Sequence, residues 1–223
     1  MEKNNDNSFI AGLTTGISQI VIGHPLDTIK VNLQNNSYNY TNYNYKNLNF
    51  KNLYKGISYP LFTNSFITSI QFGVFNTLRN KDNSLLMSSV GSGIFTGVIT
   101  TPIDRFKIKK QISAAKIYYK PFKGITLSLL REIPANIIYF NIYYYFREEY
   151  GILFSGGLAG VLSWTFTYPI DVLKTRIQSD KFNNLQHAFS KRSLFKGIVP
   201  CISRALIVNS FGFYVYEKTL SIL

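Results

Sequence analysis

The sequence offers almost nothing for covalent crosslinks, metal binding or nucleophilic catalysis. Cys201 is the only cysteine among the 223 residues, so no intrachain disulfide is possible. Neither His24 nor His187 has a cysteine or a carboxylate at the spacing of metal ligands. A glycine-rich phosphate loop and a nucleophile motif are missing as well. We therefore expect a protein that is not an enzyme and that holds no metal and no cofactor.

Charge is also absent from long stretches of the chain. Four stretches contain no Asp, Glu, Lys or Arg, and two more are interrupted only by Arg131, Glu132 and Arg204. Each is about as long as the ~20 residues that a helix needs to cross a membrane. The mean hydropathy is only +0.02, and polar residues inside a span usually face a bundle interior or a wet cavity. We therefore predict six transmembrane helices around a polar centre, over residues 7–26, 57–78, 83–103, 124–146, 150–170 and 198–216.

Basic charge is concentrated between these stretches. The connections 27–56, 104–123 and 171–197 carry formal charges of +3, +6 and +4, which together equal the +13 of the whole chain. If successive helices alternate in direction, all three connections lie on one membrane face, which we call the basic end. Anionic lipid headgroups suit this face. Nucleic acid does not, because the charge alternates with spans and is not gathered on a soluble module.

A motif occurs three times along the chain. It reads Pro-x-Asp-x-x-Lys, with a glutamine four residues after the lysine, and the prolines are 77 and 67 residues apart. An aromatic-Lys-Gly element follows each copy. Such a period indicates three structural repeats, which we place at residues 1–80, 81–148 and 149–223. The motif copies begin at Pro25, Pro102 and Pro169, and the later elements are Tyr54-Lys55-Gly56, Phe122-Lys123-Gly124 and Phe195-Lys196-Gly197.

These repeats resemble the mitochondrial carrier family over almost the whole chain. The family signature is Pro-x-(Asp/Glu)-x-x-(Lys/Arg)-x-(Lys/Arg), followed by an acidic-Gly pair and (Trp/Tyr/Phe)-(Lys/Arg)-Gly. Two copies match its first part fully and end on Lys109 and Arg176, whereas the first copy has Asn32 there. The acidic-Gly pair is missing from all three. The resemblance implies an all-α membrane protein with six transmembrane helices, arranged as three helix pairs with pseudo-threefold symmetry, plus short helices in the basic loops.

The resemblance also implies a function. A small anionic or zwitterionic metabolite would cross the inner mitochondrial membrane by alternating access, with exchange as the expected mode and a monomer as the working unit. Residues 1–8 lack the features of a secretory signal and of a transit peptide, so we expect internal targeting. The abundance of Asn, Ile, Lys, Tyr and Phe resembles giant-virus proteins, which would place the protein in a host's mitochondrion. A non-transporting membrane scaffold with the carrier fold remains the alternative.

The acid and the base of each motif copy are candidates for a gate at the basic end. Proline inside a helix removes a hydrogen bond and favours a kink, although it also marks helix ends. Each acid and base could pair within their own helix, but the resemblance implies pairs between helices, with the glutamines as braces. Those pairs are Asp27 with Lys107, Asp104 with Lys174 and Asp171 with Lys30, and the glutamines are Gln34, Gln111 and Gln178.

The family's opposite gate, (Phe/Tyr)-(Asp/Glu)-x-x-(Lys/Arg), is incomplete in this sequence. Asn76 stands in one acid position and Leu220 in one base position, although the base Arg79 is kept. Only Arg147 and Glu217 remain to form an ion pair between helices. We therefore expect this end to be held weakly, with the resting protein closed at the basic end.

The charges inside the predicted spans are candidates for solute binding. The resemblance places Arg131 and Glu132 at one contact, Arg204 at a second and Thr63 or Asn64 at a third. Arginine binds carboxylates and phosphates through its planar fork, and a glutamate would accept an amino group. An Arg-Glu contact resembles carriers of amino acids or carnitine-like compounds, whereas two arginines also suit nucleotides or deoxynucleotides. Both solute classes remain open, as does an ion pair that only joins two helices.

The glycines of the aromatic-Lys-Gly elements are candidates for lipid binding. Each is expected to open an even-numbered helix, where free backbone N–H groups bind phosphate. The resemblance implies bound cardiolipin at these places, and a simple turn is the alternative. The residues concerned are Lys55, Gly56, Lys123, Gly124, Lys196 and Gly197.

Overall fold

The structure is all-helical over the residues that it describes. This computed structural model covers residues 5–35, 53–54, 56–81, 83–112, 120–178, 194–195 and 198–223, with no side chains described at 5, 28–35 and 107–112. The predicted all-α class is confirmed for these ranges. Their helices are α1 (Asn5–Asn35), α2 (Ser58–Arg79), α3 (Leu85–Ile112), α4 (Ile125–Gln178) and α5 (Ile198–Ile222).

The longest helical element, α4, is interrupted at Gly151. The backbone there has φ 79° and ψ 169°, which is not a helical conformation and which only glycine adopts readily. The interruption divides α4 into a first arm, residues 125–150, and a second arm, residues 152–178. A Cβ at Gly151 would have nothing within 4 Å. Backbone conformation, and not lack of space, therefore requires glycine at this position.

The helices form a closed ring. Each packs against its neighbours along the chain, and α5 packs back against α1. A ring in which the last helix meets the first leaves a central space that every helix can line.

Small residues allow close contact between neighbouring helices of the ring. A Cβ at Gly16 of α1 would lie 2.4 Å from the Cα of Ser65 in α2, so no larger residue fits. Glycines four residues apart are typical of membrane helices whose backbones pack closely. This spacing occurs in α1, in α3 and in the second arm. The pairs that approach a neighbouring helix are Gly12 and Gly16, Gly93 and Gly97, and Gly156 and Gly160.

The three motif prolines all lie inside helices. Pro25 is within α1, Pro102 within α3 and Pro169 within the second arm of α4. Each helix continues well beyond its proline. The alternative that these prolines end their helices is therefore wrong.

The outside of the bundle is apolar and much of its inside is polar. Large hydrophobic side chains point outward, with Phe62 83% and Phe166 66% exposed, whereas hydroxyl groups such as those of Thr15, Ser92 and Ser128 are buried. This distribution of apolar and polar side chains is the reverse of that in a soluble domain, and it suits a protein surrounded by lipid hydrocarbon. Within the described ranges, three segments are also long and apolar enough to cross a membrane, namely Asp6–Asp27, Leu85–Phe106 and Ile198–Ile222.

A cluster of aromatic rings closes one end of the bundle. Its members come from α2, the first arm and α5, and each is at most 8% exposed. Two pairs stack almost in parallel: Phe75 on Phe140 with centroids 3.8 Å apart, and Tyr143 on Phe213 with centroids 3.6 Å apart. This aromatic cluster lies at the end opposite the basic connections. It consists of Phe72, Phe75, Tyr139, Phe140, Tyr143, Phe213 and Tyr216.

Replacing Gly151 by alanine should destabilise the protein. An alanine at this backbone conformation is strained by about 1–3 kcal/mol, so the melting temperature of the purified protein should fall. Leu153→Ala is the control, because Leu153 lies two residues after Gly151 and is 47% exposed. Equal melting temperatures for Gly151→Ala and the wild type would show that the bend relaxes without cost.

Candidate solute-binding site

A cavity of about 780 Å³ occupies the centre of the ring. All five helices contribute to its wall. It extends from Tyr139 of the aromatic cluster to Asp27, Asp104 and Asp171 near the basic end. These three carboxylates have side-chain exposures of 39%, 34% and 31%. The cavity is therefore closed at the aromatic cluster and reaches solvent at the basic end.

The charged side chains of the cavity are paired with one another. Among the described lining residues, each cation lies within ion-pair distance of a carboxylate. A charge at this depth is costly to leave unpaired, so the pairs hold the site in place electrostatically. The carboxylates are Asp27, Asp104, Glu132 and Asp171, and the cations are Arg131, Lys174 and Arg204.

The structure brings Asp104 and Lys174 together across the cavity. The Lys174 Nζ donates to the Asp104 Oδ2 at 2.7 Å, between α3 and the second arm. The Lys174 side chain is only 4% exposed, whereas that of Asp104 is 34% exposed. This is an inter-helix pair of the kind that a gate requires.

The other two motif aspartates lie against arginines. The Asp27 Oδ1 is 2.7 Å from the Nε of Arg204, and the Asp171 Oδ1 is 3.6 Å from the Nε of Arg131. The lysines expected to pair with them, Lys107 and Lys30, have side chains outside the described part. The side chains of Gln34 and Gln111 are also outside it.

Gln178 joins the two arms of α4. Its Nε2 donates to the Ser128 hydroxyl at 3.5 Å, and its backbone carbonyl accepts a hydrogen bond from Arg105. Its side chain also lies next to Gly124, where a Cβ would be 3.2 Å from the Gln178 Cγ. The described contacts thus place Gln178 between the arms.

Arg131 is surrounded by three different partners. It contacts the adjacent Glu132 and Asp171, and its guanidinium carbon lies 4.7 Å from the centre of the Trp164 ring. This last contact is a cation–π interaction. Trp164 was not predicted as a site residue, because a single aromatic in an apolar span gives no sign of the direction in which it points.

Neutral polar groups line the cavity next to the aromatic cluster. The Asn136 Oδ1 accepts from Gln71 at 3.0 Å and from Ser92 at 3.2 Å. On the other side, the Asn209 Oδ1 accepts from Tyr139 at 3.3 Å. These amides were not predicted, because only charges inside the spans and the contacts implied by the resemblance were taken as candidates.

The two residues at the third predicted contact differ in their position relative to the cavity. Asn64 lines the cavity, whereas Thr63 is absent from the described lining. The Thr63 hydroxyl donates to the Tyr59 carbonyl one turn earlier at 2.9 Å. Thr63 is therefore satisfied within α2.

Among the residues described at the aromatic end, one ion pair is formed. The Arg147 Nη1 donates to the Glu217 Oε1 at 2.7 Å, and the Tyr143 hydroxyl donates to the same oxygen at 2.9 Å. Asn76, in an acid position of the incomplete gate, donates to Tyr216 and to Ser8. Arg79 instead donates to the nearby Asn83 carbonyl at 2.9 Å, so it stabilises a turn in α2's connection to α3.

How firmly this end is held, and which end is closed at rest, stay predictions. In the described structure the aromatic cluster closes this end and the cavity opens towards the basic end. Packing of this kind was not foreseen, because only acids and bases were counted in the sequence. Phe72, Phe140 and Phe213 lie outside the charged motif, yet each is 1% exposed in the cluster.

The lipid-site candidates are described only in part. Gly56 and Gly124 both have φ 84°, a left-handed conformation that favours glycine, and both precede a helix. The loop turn therefore accounts for glycine at these two positions. Lys55, Lys196 and Gly197 lie outside the described residues.

A comparison with protein-family models matches residues 2–84 and 149–223 to the mitochondrial carrier protein family. The chain belongs to the mitochondrial carrier family. Among curated proteins, this carrier is 28% identical to the mitochondrial arginine transporter BAC2 of Arabidopsis thaliana, over 96% of the chain and 90% of that protein. It is 30% identical to the mitochondrial basic amino acids transporter of Bos taurus, over 96% of the chain and 83% of that protein. It is 27% identical to the mitochondrial magnesium exporter 1 of Drosophila melanogaster, over 100% of the chain and 96% of that protein.

Family membership confirms the resemblance drawn from the three motif copies. The relatives are transporters by name and not enzymes. The carrier is therefore a membrane transport protein for a small solute, in keeping with its apolar helices and its central cavity.

Truncating Phe213 should strongly destabilise the carrier. Its ring is 1% exposed and stacks on Tyr143, and removing a buried phenylalanine side chain typically costs about 3–5 kcal/mol. We expect a clear fall in the melting temperature of Phe213→Ala in detergent. Phe211→Ala is the matched control, because Phe211 lies in the same helix and is 45% exposed. Similar losses in both variants would mean that the aromatic cluster does not hold this end closed.

Proposed function

We propose that this carrier moves an amino acid with a cationic side chain, such as arginine or lysine, across the inner mitochondrial membrane. The observation that carries the proposal is the presence of guanidinium and carboxylate groups in one cavity. Arg131 and Glu132 are adjacent there, and Arg204 lines the same space. An arginine binds the solute's carboxylate, whereas Glu132 binds its amino group.

The charge balance of the cavity supports an amino acid over a nucleotide. Every described cation of the wall is already matched by a carboxylate. A nucleotide would bring several negative charges to a site that holds four carboxylates of its own. An amino acid brings both signs and can exchange partners with the existing pairs. Two of the relatives named above are transporters of arginine or of basic amino acids, which agrees with this choice.

The architecture proposed for this function has six membrane spans in three repeats, at residues 1–80, 81–148 and 149–223. The interruption at Gly151 supports it, because it separates the two arms of α4 into two potential spans. The closed ring supports it too. So does the recurrence of a proline and a glycine pair in α1, in α3 and in the second arm. These features suit a pseudo-threefold bundle in which α1, α3 and the second arm of α4 each bend at their motif proline.

The proposed cycle alternates between two closed ends. The described structure is closed by the aromatic cluster and accepts solute from the basic end. In the other half of the cycle, aspartates and lysines at the basic end pair between helices, as Asp104 and Lys174 already do, and the aromatic cluster separates. We propose that a monomer works by exchange of solutes, with cardiolipin bound near Gly56 and Gly124.

Transport by purified protein in liposomes tests this proposal. Liposomes preloaded with L-arginine should take up labelled L-arginine, whereas ATP and carnitine should be carried poorly. Arg204→Ala and Glu132→Gln should abolish uptake, since each removes a group that the solute contacts. Uptake of a nucleotide in preference to amino acids would show that the proposed solute class is wrong. Absence of uptake across the whole panel would favour a scaffold that keeps the carrier fold.

Two neighbouring residues of α2 provide a finer test. Asn64 lines the cavity, whereas the Thr63 hydroxyl bonds to its own helix. We expect Asn64→Ala to raise the KM for uptake several-fold through loss of a hydrogen bond to the solute, about 0.5–1.5 kcal/mol. Thr63→Ala should leave KM unchanged. The reverse order of effects would place the third contact on Thr63.

A further inference from the structure

Two of the three motif aspartates contact the arginines of the solute site. Asp27 lies 2.7 Å from Arg204, and Asp171 lies 3.6 Å from Arg131. Asp104 occupies the equivalent position in the remaining motif copy, yet it pairs with Lys174 and not with an arginine. Three positions with the same sequence motif therefore have two kinds of partner.

These arginine contacts matter because an aspartate side chain and an amino acid's carboxylate are the same chemical group. Both bind a guanidinium through two oxygens, so they compete for it. The Arg204 and Asp27 side chains are 27% and 39% exposed. An ion pair that is partly solvated is weak, and a carboxylate from solution can replace it.

We propose that Asp27 and Asp171 form a latch that ties closure of the basic end to solute binding. In the empty carrier the two aspartates occupy the arginines that would bind the solute's carboxylate. A bound solute displaces them. This inference rests on the proposed function, because it requires a solute with a carboxylate.

The displaced aspartates then need new partners. A carboxylate without a cation at this depth is costly, so it is driven towards the cations of the basic end. Asp104 and Lys174 show the pair that results. Without solute, the aspartates stay on the arginines and the basic end stays open. The latch therefore disfavours movement of the empty carrier and favours exchange.

Binding measurements on matched aspartate variants test the latch. Trp164 is the only tryptophan of the chain and lies on Arg131, so its fluorescence should report L-arginine binding. In Asp27→Asn the competitor of Arg204 is gone, and we expect the Kd to fall roughly two- to fivefold, the range of a partly exposed ion pair. Asp104→Asn removes the same charge from the same cavity without freeing an arginine. Its Kd should not fall.

The same comparison can overturn the proposal. If Asp27→Asn and Asp104→Asn change the Kd by the same factor, the effect is one of overall charge and no latch exists. Weaker binding by Asp27→Asn alone would give Asp27 a direct role in holding the solute, which also contradicts the latch.

A second experiment needs no solute. Cys201 lines the cavity and is the only cysteine, so a maleimide reacts at one position. Arg204→Gln releases Asp27, and we expect slower labelling of the empty protein because the basic end closes. Lys174→Gln breaks a pair at that end and should speed labelling. Unchanged labelling in Arg204→Gln would contradict the latch. If that variant does not fold, Arg131→Gln, which releases Asp171, takes its place.

The two experiments separate the latch from the proposed solute. A wild-type protein that neither binds nor carries L-arginine would contradict the proposed solute, and the labelling rates would still test the latch. A wild-type protein that carries L-arginine, together with unchanged Kd and labelling in the variants, would overturn the latch alone.

Discussion

Pairing of charge inside an apolar bundle is the constraint on which the rest of this structure depends. Each carboxylate that is placed away from bulk water needs a cation close by, and each motif aspartate finds its cation on another helix or on the other arm of α4. Asp104 and Lys174 join α3 to the second arm, and Asp27 and Arg204 join α1 to α5. The same groups therefore hold the helices in register and present charge to a solute.

Close packing makes these pairs possible. Glycines spaced four residues apart let α1, α3 and the second arm approach their neighbours, as Gly16 approaches Ser65. Lipid provides no hydrophobic force between helices, so tight packing and buried hydroxyl groups supply the association. The closed ring then keeps its polar wall inside and its large apolar side chains outside.

The features of this protein that depend on repeated motifs could be predicted from the sequence. Three copies of Pro-x-Asp-x-x-Lys indicated the family, and uncharged stretches with isolated arginines indicated a membrane protein with a polar centre. Contacts between distant segments could not be predicted from the sequence. No spacing rule links Asp27 to Arg204, and nothing local shows that Trp164 covers Arg131. The aromatic cluster was missed because Phe140 and Phe213 lie outside any charged motif, where an aromatic residue in a span is as readily lipid-facing as buried.

The aromatic cluster has an electrical consequence. Ring stacking such as that of Phe75 on Phe140 involves no net charge, so separating these rings moves almost no charge through the membrane field. A full charge that crosses the membrane gains or loses about 2.3 kcal/mol per 100 mV. Voltage should therefore act on the solute and on the charged side chains of both ends, including Arg147 and Glu217, while separation of the aromatic rings themselves is almost independent of the membrane potential.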